Sequence, residues 1–364
     1  YGEGYFRQSL GADGWQHEEY QPIDISEQPL TQVAAANGEA LSISIPVDGH
    51  RVLAHVWRLD VGKVPLLLLD TDIEGNSDTD RSLTGRLYGG DSELRIQQEM
   101  ILGIGGVRAL RAMGLNPAVC HMNEGHSSLL GMERIRSLME EHGASFAEAK
   151  LPVAAATAFT THTAVAAGID LFPPDLVTRH LGDYGRSMAL DDQSLLGLGR
   201  TNPLDESEPF SMAMLGLRLS GYRNGVSKLH RTVSQRLWES AWPLLPLEQI
   251  PIDSVTNGVH LPTWVANDIG EIYDRHVGVS WRDDPVNAHW AGLASVPDEE
   301  LWGAQNVRDD AEVLSQLFRV GLRRKVGNIT ALRHDPLAGV LAQFDPTRER
   351  RNRQPRAEYK DCSL

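Results

Sequence analysis

The sequence predicts an α/β fold in which parallel strands end in polar loops. Three apolar stretches, at 117–122, 153–159 and 250–255, have the length and composition of buried strands. Each stretch runs directly into polar residues: Asn123, Glu124 and His126 after the first, 160–163 after the second, and Thr256, Asn257 and His260 after the third. Because open parallel sheets bind ligands beyond the carboxyl ends of their strands, we expect these three ends to share one pocket.

Length and charge narrow the classes of protein that the chain can represent. Its 364 residues leave room for two domains. The formal net charge of −15 argues against binding to nucleic acid, which requires a basic face. No apolar run is long enough to cross a bilayer. The two cysteines, Cys120 and Cys362, do not suggest a disulfide framework and favour a cytoplasmic protein.

Other local patterns predict individual elements. Alternating apolar residues between 40 and 70 indicate strands, and Asp48-Gly49 indicates a tight hairpin turn. A helix is expected from Ser92, and the glycines near its end, at 103–106, favour close helix packing over a dinucleotide site, since Arg108 occupies the place of the third glycine. The pattern from 202 to 245 predicts two helices joined by a turn at Asn224-Gly225. Residues 265–340 are predicted to be mainly helical.

The polar residues at the strand ends permit several interpretations. His121, Glu124 and His126 could bind a metal, but the two histidines are five residues apart and Gly125 lies between them, so no metal is expected. Helix capping and strand-end capping are structural explanations that stay open for Glu124, His126 and His162. The combination of amide, hydroxyl, carboxylate and imidazole groups favours recognition of the hydroxyls of a sugar.

Seven blocks of sequence resemble, in order, the α-glucan (glycogen, starch or maltodextrin) phosphorylases, particularly the compact bacterial forms. The resemblance extends from residue 1 to about 346. The blocks are GYFRQSLGADGWQHEEY, LYGGDSELRIQQEMILGIGGVRAL, HMNEGHSSLLGMERI, FTTHTAVAAGIDLFP, NPLDESEPFSMAMLGLRLS, NGVSKLH and SVTNGVHLPTW.

The resemblance implies a glycosyltransferase of the GT-B type, built from two Rossmann-like domains. It implies reversible phosphorolysis of a terminal α-1,4-linked glucose to glucose 1-phosphate with retention of configuration, with pyridoxal 5'-phosphate as cofactor. It assigns residues 1–258 to the N-terminal domain and 259–346 to the opening helices of the C-terminal domain, and leaves 347–364 as a divergent basic tail. Glucan and inorganic phosphate would be the partners, and the full-length relatives would be dimers.

The resemblance also implies roles for six residues where motifs match. His162 is similar to the catalytic-site histidine beside the glucosyl unit, and Thr163 adjoins it. Asn257 is similar to the asparagine that binds the primary hydroxyl of the sugar, and Val226 to its neighbour in the pocket. Glu124 and His126 resemble residues on the β face of the sugar, where Glu124 takes the place of an aspartate.

The sequence departs from the family at both ends. The family's glycine-rich loop would precede residue 1, and its phosphate-binding segment would follow residue 346, where TRERRNRQPRAEYKDCSL does not match. Neither Lys325 nor Lys360 lies in the motif of the cofactor-binding lysine. We therefore expect a fragment that is inactive alone. A carbohydrate-binding protein without catalysis is the main alternative, and a glycosyltransferase that uses a nucleotide sugar is a third.

Overall fold

The computed structural model describes residues 2–306 except 4–6, 12–13, 87–89, 259 and 261–264. The described residues form two compact units, one of residues 2–3 and 21–257 and the other drawn from 7–20 and 258–306. The predicted tail, and the predicted helical segment from residue 307 onward, lie outside the described residues. The predicted domain boundary at 258 stays a prediction.

Six strands come first in the described chain, and helices and short strands are interspersed after them. The strands are β1 Arg7–Leu10, β2 Gln16–Glu19, β3 Thr31–Gln32, β4 Ser42–Val47, β5 His50–Val61, β6 Val64–Asp70, β7 Cys120–Asn123, β8 Thr157–Thr161, β9 Leu171–Phe172, β10 Phe210–Ser211, β11 Tyr222–Gly225 and β12 Asp253–Ser254. The α-helices are α1 Asp78–Arg81, α2 Ser92–Met100, α3 Gly106–Ala112, α4 Leu129–His142, α5 Phe146–Ala155, α6 Pro174–Arg186, α7 Asp192–Leu198, α8 Met212–Arg218, α9 Lys228–Leu237, α10 Asn267–His276 and α11 Asp298–Asn306. None of the helices in the described ranges combines the length and the apolar character needed to cross a bilayer.

An antiparallel sheet forms the first part of the larger unit. Strand β5 pairs with β3, β4 and β6. The β4–β5 hairpin turns at Asp48 and Gly49, whose φ angles are 47° and 74°, so the predicted tight turn is confirmed. Alternate residues of both strands are fully buried, among them Ile45, Val52 and Val56, because one face of the sheet lies against the helices.

Glycines allow the helical segment 92–112 to approach its neighbours closely. A π-helical segment, Ile101–Gly105, joins α2 to α3. A Cβ atom on Gly103 would lie 2.7 Å from Leu129 Cβ and 2.8 Å from Leu130 N on α4. A Cβ atom on Gly105 would lie 3.0 Å from Leu69 Cδ1 on β6. The predicted start at Ser92 and the packing role of the glycine cluster are both confirmed.

A four-stranded parallel sheet forms the second part of the unit, in the order β12-β11-β8-β7. The mixed α/β class with a parallel sheet is therefore confirmed. Two local predictions need correction. Asn224-Gly225 is not a turn between helices but the end of β11, a strand that pairs with β8 on one side and β12 on the other. The apolar stretch 153–159 is divided, since α5 continues to Ala155 before β8 begins at Thr157.

A buried ionic network holds α4 in place behind the parallel sheet. The Glu133 carboxylate has no exposed side-chain surface and accepts hydrogen bonds from Arg108 Nε at 2.9 Å, Arg136 Nη2 at 2.9 Å and Tyr184 Oη at 2.7 Å. Arg108 also donates to the Ser44 carbonyl of β4 at 2.6 Å. Burial alone would raise the pKa of Glu133, but the hydrogen bonds from Arg136, Arg108 and Tyr184 outweigh it and lower the pKa.

The smaller unit contains the hairpin β1–β2, α10 and α11, and short 3₁₀ segments between the two helices. An aromatic cluster packs against α10. Tyr273 meets Trp281 and Trp290 edge to face, with ring centroids 5.2 and 5.4 Å apart. Trp281 is buried, and its indole nitrogen donates to Asp274 at 2.9 Å.

Stability should depend on the size of the side chain at position 103, because Gly103 lies against α4. We expect Gly103→Ala to lower the free energy of unfolding by about 1–3 kcal/mol, because its methyl group would overlap backbone and Cβ atoms of α4. Gly106→Ala is the matched control, since a Cβ atom there meets nothing within 4 Å and should raise stability by about 0.5–1 kcal/mol. Urea unfolding measures both, and equal stabilities of the two variants would contradict the packing.

The ionic network predicts a pH-dependent difference between two glutamates of one helix. We expect Glu133→Gln to lower the free energy of unfolding at neutral pH by about 3 kcal/mol, because Arg108 and Arg136 lose a buried carboxylate. Exposed Glu140, in the same helix, is the control, and Glu140→Gln should cost less than about 1 kcal/mol.

The folded carboxylate of Glu133 binds its proton more weakly than the unfolded one, so its contribution is present above the usual pKa of 4.5 and is lost as the pH falls through the lower folded value. The stability difference between wild type and Glu133→Gln should therefore shrink in acid. A difference independent of pH would contradict this assignment.

Candidate functional site

The parallel register brings the polar ends of the strands to one edge of the sheet. Asn123 lies opposite Thr160, and Thr161 lies opposite Gly225, which in turn lies opposite Ser254. The residues that follow each strand therefore leave the sheet side by side. The second and third predicted strand ends, those of β8 and β12, are joined through β11. The sequence pattern predicts a turn, not a strand, at the end of β11.

Glu124 connects the loop after β7 to the loop after β8. One oxygen of its carboxylate, Oε1, accepts hydrogen bonds from the backbone N–H of His162, from the N–H of Thr163 at 2.8 Å and from Thr163 Oγ1 at 3.2 Å. Its own N–H donates to the Thr160 carbonyl at 2.9 Å. Glu124 has a φ of 62°, which is unfavourable for a non-glycine residue, and these hydrogen bonds hold it there.

The imidazole of His162 has one engaged and one unengaged nitrogen. Nε2 lies 2.8 Å from Asn123 Oδ1, to which it donates as an N–H. Nδ1 is then the acceptor of the ring, and it is buried with no hydrogen-bond partner among the described residues. A buried acceptor without a partner is uncommon in folded proteins and is often found where function requires it.

His230 on α9 ties the loop after β8 to the loop after β11. Its Nδ1 accepts from Val226 N–H at 3.2 Å, and its Nε2 lies 3.2 Å from the Thr163 carbonyl. A backbone N–H only donates and a carbonyl only accepts, so the ring is neutral with its proton on Nε2. Gly225 makes room for it, because a Cβ atom there would lie 2.8 Å from His230 Nδ1.

His230 was not predicted as a site residue from the sequence. It lies within NGVSKLH, in the first turn of α9. Ser227 Oγ caps this helix and accepts a hydrogen bond from His230 N–H at 3.0 Å. The sequence signal is weak, since a histidine in the first turn of a helix is usually exposed. Here the ring is buried, with 8% of its surface exposed.

The structure brings most of the predicted site residues together. A continuous series of hydrogen bonds runs from Glu124 through Thr163, His230 and Val226 to Asn257, whose N–H donates to the Val226 carbonyl at 3.1 Å. The side chain of Asn257 is exposed. His126 lies outside this series, in the 3₁₀ turn Gly125–Ser127.

Polar side chains also cross the sheet below the site. His121 Nε2 lies 2.7 Å from Thr160 Oγ1, which donates to Asn224 Oδ1 at 3.0 Å. His121 is thereby engaged across three strands and is not directed at Glu124. In the part of the chain that the structure describes, no three His, Cys, Asp or Glu side chains are arranged to hold a metal ion.

Relatives of known name share most of this sequence. The chain is 41% identical over 305 residues to the maltodextrin phosphorylase of Thermococcus litoralis, a match that covers 84% of this chain and 36% of the relative. It is 44% identical over 311 residues to the glycogen phosphorylase of Mycobacterium tuberculosis, covering 83% and 36%. It is 34% identical over 309 residues to the glycogen phosphorylase of Aquifex aeolicus, covering 83% and 43%. No family model matches the chain.

These relatives are glycosyltransferases, and the resemblance predicted from the sequence motifs is confirmed. Over more than four-fifths of its length the chain is similar to glycogen and maltodextrin phosphorylases. It spans 36–43% of the length of these three relatives.

The bridging role of His230 can be tested at single amides. We expect His230→Phe to accelerate hydrogen exchange of the Val226 amide by about tenfold, because the ring keeps its shape but the amide loses its acceptor. His142→Phe, at an exposed position on α4, is the matched control and should leave that amide unchanged. Unaltered exchange at Val226 in His230→Phe would show that the ring does not hold the loop.

Proposed function

We propose that this chain forms the glucose-binding part of an α-glucan phosphorylase of the GT-B type. The full enzyme would release glucose 1-phosphate from the terminal α-1,4-linked glucose of glycogen or maltodextrin, with inorganic phosphate as the second substrate and retention of configuration. The observation that carries the proposal is the hydrogen-bonded series from Glu124 to Asn257, which joins the segments after four strands, β7, β8, β11 and β12.

The chemistry of the site suits a neutral polyol. His162 offers an unpartnered ring nitrogen as an acceptor, and the exposed amide of Asn257 offers both a donor and an acceptor. We assign His162 to the catalytic position beside the glucosyl unit and Asn257 to the primary hydroxyl. Thr163 and Val226 would line the same side, and Glu124 and His126 the β face. Glu124 Oε1 carries the hydrogen bonds from the loop after β8, so Oε2 is the oxygen available to a sugar hydroxyl.

Rigid loops matter for such a reaction because the transition state is bound more tightly than the substrate only when its partners are already oriented. Glu124 and His230 supply that orientation here. They fix the backbone on both sides of His162 and Thr163 without needing the ligand.

Pyridoxal 5'-phosphate is the cofactor that the family implies, and the described residues do not fit it. The cofactor requires a lysine that forms a Schiff base in a protected pocket. The lysines at described positions are Lys63 in the β5–β6 turn, Lys150 on α5 and Lys228 at the exposed start of α9. Burial and the charges of Arg218 and Arg223 lower the pKa of Lys150, but those arginines, not the residues of the candidate site, surround it.

The same proposal includes the cellular location and the partners of the enzyme. We infer a cytoplasmic location, because two cysteines in 364 residues give no disulfide framework and glucan stores are used inside cells. Dimer formation by the full enzyme and the absence of nucleic-acid binding are further parts of the proposal, the second supported by the net charge of −15.

A non-catalytic carbohydrate-binding protein is the second candidate function. The exposed amide of Asn257 and the unpartnered nitrogen of His162 would serve binding alone equally well. Release of glucose 1-phosphate in the presence of inorganic phosphate separates the two, since only the enzyme produces it.

Calorimetric titration with maltopentaose tests the site. We expect the 364-residue chain to bind it, and His162→Ala and Asn257→Ala each to weaken binding about fivefold to tenfold, as expected for a lost hydrogen bond. His142→Ala and Asn287→Ala are matched controls at positions outside the site. Cellopentaose, the β-1,4-linked isomer, should bind more weakly. Equal binding of both sugars, or unchanged binding by the two site variants, would contradict the proposal.

A further inference from the structure

A second pocket lies at the opposite end of β7 from the candidate site. Its volume is about 380 Å³, within the range of pockets that hold small organic molecules. It is enclosed by the last turn of α3, the loop 114–117, the first residue of β7 and one face of α4. Val107, Leu110 and Leu138 give it an apolar wall.

Ser137 lines this pocket and has a buried, unpartnered hydroxyl. The residue is 3% exposed, and its Oγ has no hydrogen-bond partner among the described residues. A serine within a helix ordinarily bonds to the carbonyl four residues earlier when it faces an apolar interior. Ser137 makes no such bond, and its Oγ is buried in the observed rotamer, so a change of χ1 would let the hydroxyl donate to a ligand in the pocket that the residue lines.

Arg134 places a positive charge beside that hydroxyl. It lies three residues before Ser137 on α4, which puts both side chains on one face of the helix. Its Nη1 donates to Thr157 Oγ1 at 2.9 Å and to the Ala156 carbonyl at 3.3 Å. Cys120 N–H donates to the same carbonyl at 2.9 Å, so the guanidinium lies next to the thiol that lines the pocket. No described carboxylate forms an ion pair with Arg134.

The arginines and the glutamate that line the pocket leave one net positive charge. Arg111 and Glu141, at the rim, form an ion pair with each other and cancel. Arg134 is then the uncompensated cation of this wall. One guanidinium with one hydroxyl matches a carboxylate, which accepts two parallel hydrogen bonds and carries a single charge.

We propose that this pocket binds a compact organic monocarboxylate. The carboxylate would pair with Arg134 and accept the hydrogen bond of Ser137 Oγ, and the apolar body of the ligand would lie against Leu110 and Leu138. This inference is independent of the glucan site, since no residue is shared between the two.

4-Fluorobenzoate is a suitable probe, because its fluorine reports binding by NMR to the full 364-residue chain. We expect saturable binding with a Kd of about 1 mM or tighter. Arg134→Met should weaken it by about tenfold or more, and Ser137→Ala by a smaller factor. Arg51→Met, the same substitution at an exposed position on β5, is the control and should have no effect. Neutral 4-fluorobenzyl alcohol should bind more weakly than the carboxylate.

Equal binding of the alcohol and the carboxylate would overturn the proposal, as would undiminished binding to a folded Arg134→Met variant. Absence of binding by the wild-type chain would also overturn it and would leave a water-filled pocket as the explanation of the Ser137 hydroxyl.

Cys120 provides a second measurement that does not depend on the stability of a pocket variant. In a Cys362→Ser background the pocket thiol is the single cysteine of the chain. We expect saturating 4-fluorobenzoate to slow the reaction of Cys120 with methyl methanethiosulfonate several-fold, because the ligand covers the thiol. An unchanged labelling rate would place the bound carboxylate elsewhere and contradict the assignment.

Discussion

One carboxylate holds the geometry of the candidate site. Glu124 occupies an unfavourable backbone conformation at the end of β7, and from there its Oε1 receives the amides of His162 and Thr163. An unpaired carboxylate in a partly buried loop would be costly, and two partly buried amides without acceptors would be costly too, so each group stabilises the other. The start of the loop after β8 is therefore held by this exchange.

His230 extends the same constraint to the next strand. Its neutral ring satisfies a donor on one loop and an acceptor on another, which a charged ring could not do. With both bridges in place, the backbone around His162 is determined before any ligand arrives. Such preorganisation lets binding free energy be used for selectivity between ligands, because it is not consumed in ordering the loops.

The side chains at the carboxyl end of β7 differ in chemistry from those at its amino end, beside α4. At the carboxyl end of the strand, polar groups are largely engaged with one another, while His162 Nδ1 is buried without a partner among the described residues. At the amino end, Ser137 and Arg134 line a pocket with an apolar wall, and the carboxylate at its rim, Glu141, is paired with Arg111. Behind both, Glu133 fixes α4 to the antiparallel sheet through Arg108. The two ends of α4 therefore lie beside regions with different side-chain chemistry.

The local features of this fold could be predicted from sequence, and the long-range ones could not. The hairpin at Asp48-Gly49 and the helix from Ser92 depend on turn geometry and capping within a few residues. The end of β11 at Asn224-Gly225 was taken for a turn because a four-residue strand has too few residues to show a period, and its identity depends on β8 and β12. His230 was missed for the same reason, since only the folded chain brings its ring between two loops.

A crystal structure of the chain with maltopentaose tests the central claim most directly, because it locates the sugar without relying on a loss of affinity. Three strand-end loops, joined by Glu124 and His230, should form the glucose-binding surface. The account predicts a glucosyl ring within hydrogen-bond distance of His162 Nδ1 and the Asn257 side chain. A sugar bound at another surface of the chain, with both of these groups uncontacted, would contradict it.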